Sequence, residues 1–313
     1  MNITYNPYET NKAKLNFEEN YHIKSILLEG EWNNDVFEFV LKNNILGLFF
    51  NFVKGSKATD FDFLENLSHF QLLNIISTPI DNLDKIKYLS ELKVLSLQCH
   101  IKKGIDFSNL KKLEKCFLYW NKGADLIFKC INIKNLSIDS FKSKYIPENW
   151  SNEELVQLEI YRSDLVDLKK IKLLKNIRKL SLYNCKKLSD LDDLELFENL
   201  EWLTINGSKQ IKNFNVISKL KKLKVLDLSD SGKIPTIEFI KNLINLQSFA
   251  FAGSNTYIED GNLLPLTKLN KLSMLMFAPK KNYSLKLLKK WNWENFDSPD
   301  VLLEEISNKP HYA

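Results

Sequence analysis

The chain has 313 residues, of which 44% are hydrophobic and 27% are charged, and its formal net charge is +5 at pH 7. These fractions are typical of a soluble globular protein that buries a sizeable core. No stretch approaches the ~18 consecutive apolar residues of a membrane span, and no apolar segment follows a basic start as in a secretory signal. The composition therefore excludes a membrane protein, and we expect a cytoplasmic location.

The positive charge comes almost entirely from lysine, because arginine occurs only at Arg162 and Arg178. Proteins that read phosphates and bases favour arginine, whose planar fork binds two acceptors at once. The abundance of Asn, Lys and Ile indicates the codon bias of an AT-rich genome. The basic composition is thus weak evidence for nucleic-acid binding.

Residues 1–21 come first in the chain and are mostly polar, and we predict that they form an N-terminal cap. Residues 22–282 then repeat one pattern, apolar-x-x-apolar-x-apolar, at intervals of 20 to 26 residues. A period of this length with this pattern indicates a solenoid of stacked repeats. The twelve copies begin at Ile23, Ile45, Phe70, Leu92, Leu113, Ile133, Leu155, Ile177, Leu200, Leu223, Leu246 and Leu272.

The repeat from Leu223 shows the chemistry of one unit. Leu226 and Leu228, at positions four and six, lie two residues apart and point to the same side of a short strand. Apolar residues then follow at steps of three, which is typical of 3₁₀ or short α-helical turns; they are Ile234, Ile237, Ile240 and Leu243. Each unit is therefore predicted as a strand, a turn and a helical return leg. One unit cannot bury its apolar face alone, so neighbouring units must stack.

These residues resemble the leucine-rich repeat family, and the 22-residue step is similar to the short-repeat subclass found in phosphatase-regulatory proteins. The resemblance covers about residues 22–282 and implies an α/β leucine-rich repeat solenoid. Its curved horseshoe would have a concave parallel sheet of about twelve strands, with short helical or 3₁₀ returns on the convex side. It also implies a scaffold that binds other molecules without catalysing a reaction.

Position nine, where the chain leaves the strand, calls for a side chain that bonds to the backbone inside the turn. Small polar residues and one cysteine occupy this position, namely Asn121, Ser163, Cys185, Ser208, Ser231 and Ser254. After the last repeat, Ser284 is placed to begin a helix. We predict that residues 283–313 form a C-terminal helical cap, with Trp291, Trp293 and Phe296 packed on the last repeat.

Motifs for catalysis or metal binding do not occur in the sequence. The four cysteines form no C-x-x-C pair, the four histidines are scattered, and phosphate-binding glycine motifs and H-E-x-x-H are missing. Cys116 occupies a core position and Cys185 a turn position, so both are interpreted as buried packing residues. We expect no enzyme activity, cofactor, metal ion or small-molecule substrate.

Strand alternation assigns the concave surface. If positions four and six face the core, then positions three, five and seven face the concavity and position eight lies on its rim. Exposed tyrosine, tryptophan and arginine are typical of binding hot spots, so we predict a partner-binding surface there. Its residues are Phe117, Tyr119, Trp120, Asp139, Glu159, Tyr161, Arg162, Tyr183, Trp202, Asn206, Asp227 and Asp230.

The charges of these positions predict the kind of partner. Five carboxylates, those of Glu29, Asp139, Glu159, Asp227 and Asp230, outnumber three cations, those of Lys115, Arg162 and Lys179. A net acidic concave face on a basic protein suggests a protein partner with a basic surface. The return legs carry many of the lysines, namely Lys169, Lys170, Lys172, Lys219, Lys221 and Lys222.

Three functions remain open at this point. The first is a protein-binding scaffold, and within it a bacterial immunity protein that neutralises a basic toxin domain. The second is a regulatory subunit that docks onto an enzyme such as a phosphatase, as the repeat subclass implies. The third, which the sequence favours least, is a nucleic-acid binder that uses the lysines of the convex side.

Overall fold

The computed structural model describes residues 8–9, 13–20, 22–58, 60–76, 80–121, 123–148, 150–171 and 174–284. The described residues fall into two compact units, divided between residues 139 and 140. The predicted cap helices with Trp291, Trp293 and Phe296 lie outside the described residues, as does Lys172 of the return legs. The bounds 1–21, 22–282 and 283–313 therefore stay predictions.

The first unit opens with an antiparallel hairpin and continues with six parallel strands, each paired with the next. Its described strands are β1 (Tyr8–Glu9), β2 (Ala13–Asn20), β3 (Ile23–Gly30), β4 (Gly47–Asn51), β5 (Leu72–Ile76), β6 (Val94–Gln98), β7 (Lys115–Tyr119) and β8 (Asn135–Asp139). Strand β2 pairs along the whole length of β3. It thereby satisfies the backbone edge that the first repeat would otherwise expose.

The second unit contains six further strands of the same kind and a small separate ladder. The strands are β9 (Gln157–Tyr161), β10 (Lys179–Tyr183), β11 (Trp202–Asn206), β12 (Val225–Asp227), β13 (Lys233–Ile234), β14 (Ser248–Phe251), β15 (Tyr257–Ile258) and β16 (Met274–Phe277). Strands β9, β10, β11, β12, β14 and β16 are paired in parallel in that order. Strands β13 and β15 pair with each other. Each of the twelve predicted repeats thus supplies one parallel strand.

The return legs are mostly 3₁₀ helices, as their three-residue apolar spacing predicts. The first repeat is different and carries an α-helix, α1 (Asn34–Lys42), whose N-cap Asn33 accepts a hydrogen bond from the Val36 amide. The described 3₁₀ helices are Phe52–Lys54, Asp62–Asn66, Asp84–Tyr88, Ala124–Lys129, Lys169–Ile171, Asp192–Leu196, Asn215–Lys219, Glu238–Asn242 and Leu264–Lys268. Several are preceded by an Asp or Asn two residues before the helix, whose side chain accepts the amide of the first helical residue, as Asp190 does from Asp192.

The core lies between the strands and the return legs, in the register that the sequence predicts. Leu226 and Leu228, at positions four and six, have no exposed surface, and the same is true of Leu223 at position one. The return-leg residues at three-residue steps, Ile234, Ile237, Ile240 and Leu243, are equally buried. Stacking therefore removes from water the apolar stripe that no repeat could bury alone.

Position nine follows the expectation in part. The Ser231 hydroxyl donates to the Ile205 carbonyl of the preceding repeat over 2.6 Å, and the Asn121 amide donates to the Cys99 carbonyl over 3.0 Å. Ser254 departs from it, because its side chain is exposed. The Ser208 hydroxyl is buried but has no hydrogen-bond partner among the described residues. The role predicted for Ser208 and Ser254 is therefore wrong.

A second set of hydrogen bonds between neighbouring repeats was not predicted, although the residue that forms them recurs in the sequence. Asparagine repeatedly precedes position one, and its side chain donates to a carbonyl of the preceding repeat. The bonds run from Asn132 to Lys111, from Asn176 to Glu153, from Asn199 to Lys175 and from Asn245 to Lys221, over 2.6 to 3.3 Å. Each one satisfies a backbone group at the point where the return leg meets the next strand.

The two outcomes at position nine give a matched test. Ser231→Ala leaves the buried Ile205 carbonyl without its donor, so we expect unfolding to become easier by about 1–2 kcal/mol. Ser254→Ala makes the same change at the same repeat position on an exposed side chain, and we expect less than about 0.5 kcal/mol. Urea and thermal unfolding monitored by circular dichroism measure both. Equal effects of the two variants would contradict this assignment of the hydroxyls.

Candidate functional site

The face of the second unit's sheet that looks away from the core is formed by positions three, five and seven. We call these residues of β9, β10, β11 and β12 the open sheet face. Parallel pairing aligns equivalent positions of neighbouring repeats, so that Tyr161 lies beside Tyr183 and Thr204 beside Asp227. Side chains of one column therefore contact each other across strands only about 4.8 Å apart.

Two tyrosines form the clearest feature of this face. The rings of Tyr161 and Tyr183 are stacked, with centroids 4.8 Å apart and planes inclined by 6°. The Tyr161 hydroxyl donates to the Glu159 carboxylate over 3.0 Å. Both side chains are half-buried, so part of their surface remains accessible to solvent. Stacking on a rigid sheet fixes these aromatic groups before any partner arrives.

Trp202 does not have the exposure that we expected. Only 7% of the residue is accessible, and its indole Nε1 donates to the Thr204 hydroxyl over 2.9 Å. The Lys179 ammonium lies 5.4 Å from the centre of the ring and is attracted to its π face. The expectation that Trp202 is an exposed aromatic group is wrong, because Lys179, at the equivalent position of the preceding repeat, covers its ring. Its assignment to partner binding stays a prediction.

The charge balance of the open sheet face also differs from the expectation. Lys179 forms an ion pair with Glu159 at 2.8 Å, and little of either side chain is exposed. The pair is neutral, so Glu159 adds no net negative charge to the surface. The remaining carboxylates are those of Asp227, which accepts the Ser229 amide over 2.8 Å, and of Asp230, which is exposed. The acidic character is thus confined to the repeat of β12, and we call Asp227 and Asp230 the acidic corner.

Position eight follows each strand and has a backbone role that we did not foresee. Arg162, Asn184 and Asp230 have positive φ angles of 50°, 54° and 54°, and Gly207 and Gly253 occupy the same position. The left-handed conformation turns the chain toward the return leg, which explains why Gly and Asn occur there. At Gly207 a Cβ would also collide with the Asn184 side chain. The recurrence of Gly and Asn at position eight was the sequence feature that could have predicted this left-handed conformation.

The remaining predicted residue of the open sheet face is Asn206. It is half-buried and lies beside Tyr183 in the register of β10 and β11. Arg162 directly follows β9, and its side chain is exposed. The structure therefore brings Glu159, Tyr161 and Tyr183 into one cluster, with Asn206 at its side.

The predicted residues of the first unit form a separate group. Phe117, Tyr119 and Trp120 are half-buried at the end of β7, where the Tyr119 ring meets the His100 ring edge-on at 4.7 Å. Trp120 lies against Phe128 with centroids 6.1 Å apart. Asp139 is only 9% exposed, which contradicts its expected exposure on the face. The partner-binding role of this group stays a prediction.

The cysteines behave as packing residues. Burial raises the pKa of Cys99 to about 12 and also raises the pKa values of Cys116 and Cys185, so these thiols stay protonated and unreactive at neutral pH. Among the described residues, no cluster of three or more His, Cys, Asp or Glu side chains could hold a metal ion. The same residues contain no helix that could span a membrane.

Tyr183 offers a direct test of the geometry. Burial raises the pKa of its phenol above the ordinary value of 10.0, and the negative charges of Glu159 and Asp227 raise it further. We therefore expect Asp227→Asn to lower the pKa of Tyr183 toward its ordinary value. Asp230→Asn is the control and should leave it unchanged. Absorbance at the phenolate band during an alkaline titration measures it, with Tyr183→Phe identifying the signal. No change in Asp227→Asn would contradict the proximity of the two groups.

Comparison with known proteins supports the fold. No protein-family model matches the chain, and no curated protein matches its sequence. An internalin structure from Listeria monocytogenes is similar with a TM-score of 0.60 and 18% identity, over 87% of this chain and 87% of that chain. Internalin C2 from the same species gives 0.41 and 17%, over 76% and 84%. A leucine-rich repeat protein from Leptospira interrogans gives 0.44 and 20%, over 79% and 81%. The repeat geometry and the first of these likenesses together show that the chain adopts the leucine-rich repeat fold.

Proposed function

We propose that the protein is a non-enzymatic scaffold that binds a protein partner on the open sheet face of its second unit. The observation that carries the proposal is the half-buried stack of Tyr161 and Tyr183 on a rigid parallel sheet. Large aromatic groups held in one conformation lose little entropy on binding, and they dominate the energy of many interfaces. The same role in binding a protein partner is proposed for the aromatic residues of the first unit, Phe117, Tyr119 and Trp120.

The partner presents a basic surface to the acidic corner. Asp227 is fixed by its hydrogen bond from the Ser229 amide, and Asp230 is exposed at the next turn. Together the two carboxylates attract cationic groups, and the fixed position of Asp227 selects the orientation in which a partner docks. Because Glu159 is already paired with Lys179, the acidic contribution to the open sheet face and the turn that follows it comes from these two aspartates.

The narrower proposal is that the partner is a basic toxin domain and that the protein is its immunity protein in the bacterial cytoplasm. It is supported by the acidic corner beside the stacked tyrosines, an arrangement suited to covering a cationic surface. A toxin-like coding sequence beside the gene would support it. A neighbourhood without one would count against this narrower role while leaving the scaffold function intact.

Capture from a lysate of the native organism tests the scaffold function. Tagged wild-type protein should retain one protein in stoichiometric amount. Tyr161→Ala/Tyr183→Ala should weaken its capture at least tenfold, because the aromatic contact is lost. Tyr88→Ala removes a 44% exposed tyrosine from a 3₁₀ return leg and serves as the matched control. Mass spectrometry identifies the partner, and circular dichroism verifies that the variants are folded.

Asp227→Lys separates the charge contribution from the aromatic one. It should weaken capture of a basic partner while the tyrosine stack stays intact. Glu159→Lys is unsuitable here, since it would place a second cation beside the poorly exposed Lys179. Retention of the partner by the double tyrosine variant would reject the open sheet face. Capture of nucleic acid alone would reject the protein scaffold and favour the lysines of the return legs.

A further inference from the structure

The loops that follow four consecutive strands of the repeat array carry a concentration of positive charge. They comprise residues 140–144, 162–166, 184–188 and 207–211, all within the second unit. The loops contain one carboxylate, that of Asp164, and six cationic residues, namely Lys142, Lys144, Arg162, Lys186, Lys187 and Lys209. We call these six residues the lysine edge. They directly follow the strand ends and are therefore a different group from the lysines of the return legs.

Backbone hydrogen bonds hold these loops in fixed register. The amides of Ser140 and Arg162 donate to the carbonyls of Tyr161 and Tyr183 over 2.9 and 2.8 Å. Farther along the loops, the Val166 amide donates to the Lys144 carbonyl over 3.1 Å. Neighbouring loops are therefore spaced like the strands, about 4.8 Å apart. The cationic side chains project from anchored backbone and do not depend on a partner to bring them together.

Four of the six cations of the lysine edge are not neutralised by the residues that the structure describes. Lys187 forms an ion pair with Asp164 at 2.9 Å. Lys142, Lys144, Lys186 and Lys209 are exposed and form no ion pair with any residue that the structure describes. The pKa of Asp164 reflects this field, since the hydrogen bond from Lys187 lowers it and the charges of Lys187, Lys142 and Lys144 lower it further. Adjacent like charges repel, and a bound anion would relieve that repulsion.

We propose that the lysine edge is a docking site for an acidic segment of a protein partner. A protein segment fits better than a nucleic acid because the charge of this unit changes sign over a short distance. The acidic corner, Asp227 and Asp230, lies in the repeat that follows the fourth loop. A uniformly anionic phosphate backbone along the edge would meet these carboxylates, whereas a protein can place its acidic residues opposite the lysines alone. Only one of the six cations of the edge is an arginine, the residue that phosphate-binding proteins favour, and this also argues against a nucleic acid.

This site goes beyond the proposed scaffold function and depends on different residues. A fluorescein-labelled peptide of alternating Glu and Ser is the probe, and an oligothymidylate of equal charge is the competing probe. Fluorescence anisotropy measures binding to the full chain at low and near-physiological salt. We expect the peptide to bind wild-type protein, and more weakly as salt screens the charges.

Two variants with the same change in net charge make the test specific. Lys142→Glu/Lys186→Glu/Lys209→Glu alters the edge, and Lys175→Glu/Lys219→Glu/Lys268→Glu alters exposed lysines of the return legs in the same unit. The edge variant should weaken peptide binding at least tenfold, and the control variant less than about twofold. Tyr161→Ala/Tyr183→Ala should keep peptide binding, so a failure of the edge and a failure of the open sheet face can be distinguished.

Three results would overturn the proposal. Equal weakening by both triple variants would mean that net charge, not the edge, attracts the peptide. Tighter binding of the oligothymidylate, lost in the edge variant, would make the edge a nucleic-acid site instead. No detectable peptide binding by wild-type protein at low salt, with both variants folded by circular dichroism, would leave the edge without a ligand of this class.

Discussion

The structure depends on one constraint: a repeat of about 22 residues cannot bury its own apolar stripe. Leu223, Leu226 and Leu228 of one repeat are removed from water only because the neighbouring repeats cover them. That burial requires the strands to align residue against residue, as Leu180 aligns with Leu203. Backbone bonding at the strand ends follows from the same alignment. The Ser231 hydroxyl reaches the Ile205 carbonyl because the two repeats lie side by side, one strand apart.

The same alignment builds the open sheet face. Equivalent positions form columns across the strands, so the side chains of neighbouring repeats either stack, pair or cover one another. Tyr161 and Tyr183 stack, and Glu159 pairs with Lys179 of the adjacent position-three column. Lys179 in turn covers the Trp202 ring. A polar cluster of this kind is rigid because each member has a partner inside the protein. What it offers a partner is therefore a fixed aromatic surface with little net charge.

Charge is distributed unevenly around this face. The acidic corner lies in the repeat of β12, whereas the lysine edge follows the strand ends of the preceding repeats. Ion pairs such as Lys187 with Asp164 reduce the contrast without removing it. A surface that changes sign in this way selects partners by orientation as well as by charge, since a misplaced partner meets like charges. It is better suited to a protein with its own charge pattern than to a uniform polyanion.

The sequence by itself determined the repeat, the twelve parallel strands, the 3₁₀ return legs and the buried positions. These properties depend on apolar spacing within single repeats, and the spacing can be read directly from the chain. Strict alternation of side chains along a strand likewise predicts which positions of each repeat face away from the core.

The tertiary structure decided which of these residues are available to a partner. The cover over Trp202 and the pairing of Glu159 both depend on Lys179, a side chain of a neighbouring repeat. The same holds for Ser254, which is exposed, whereas Ser231 at the same repeat position is buried and hydrogen-bonded. A repeat pattern assigns each position its side of the strand. Only the contacts between stacked repeats determine how much of that position remains exposed.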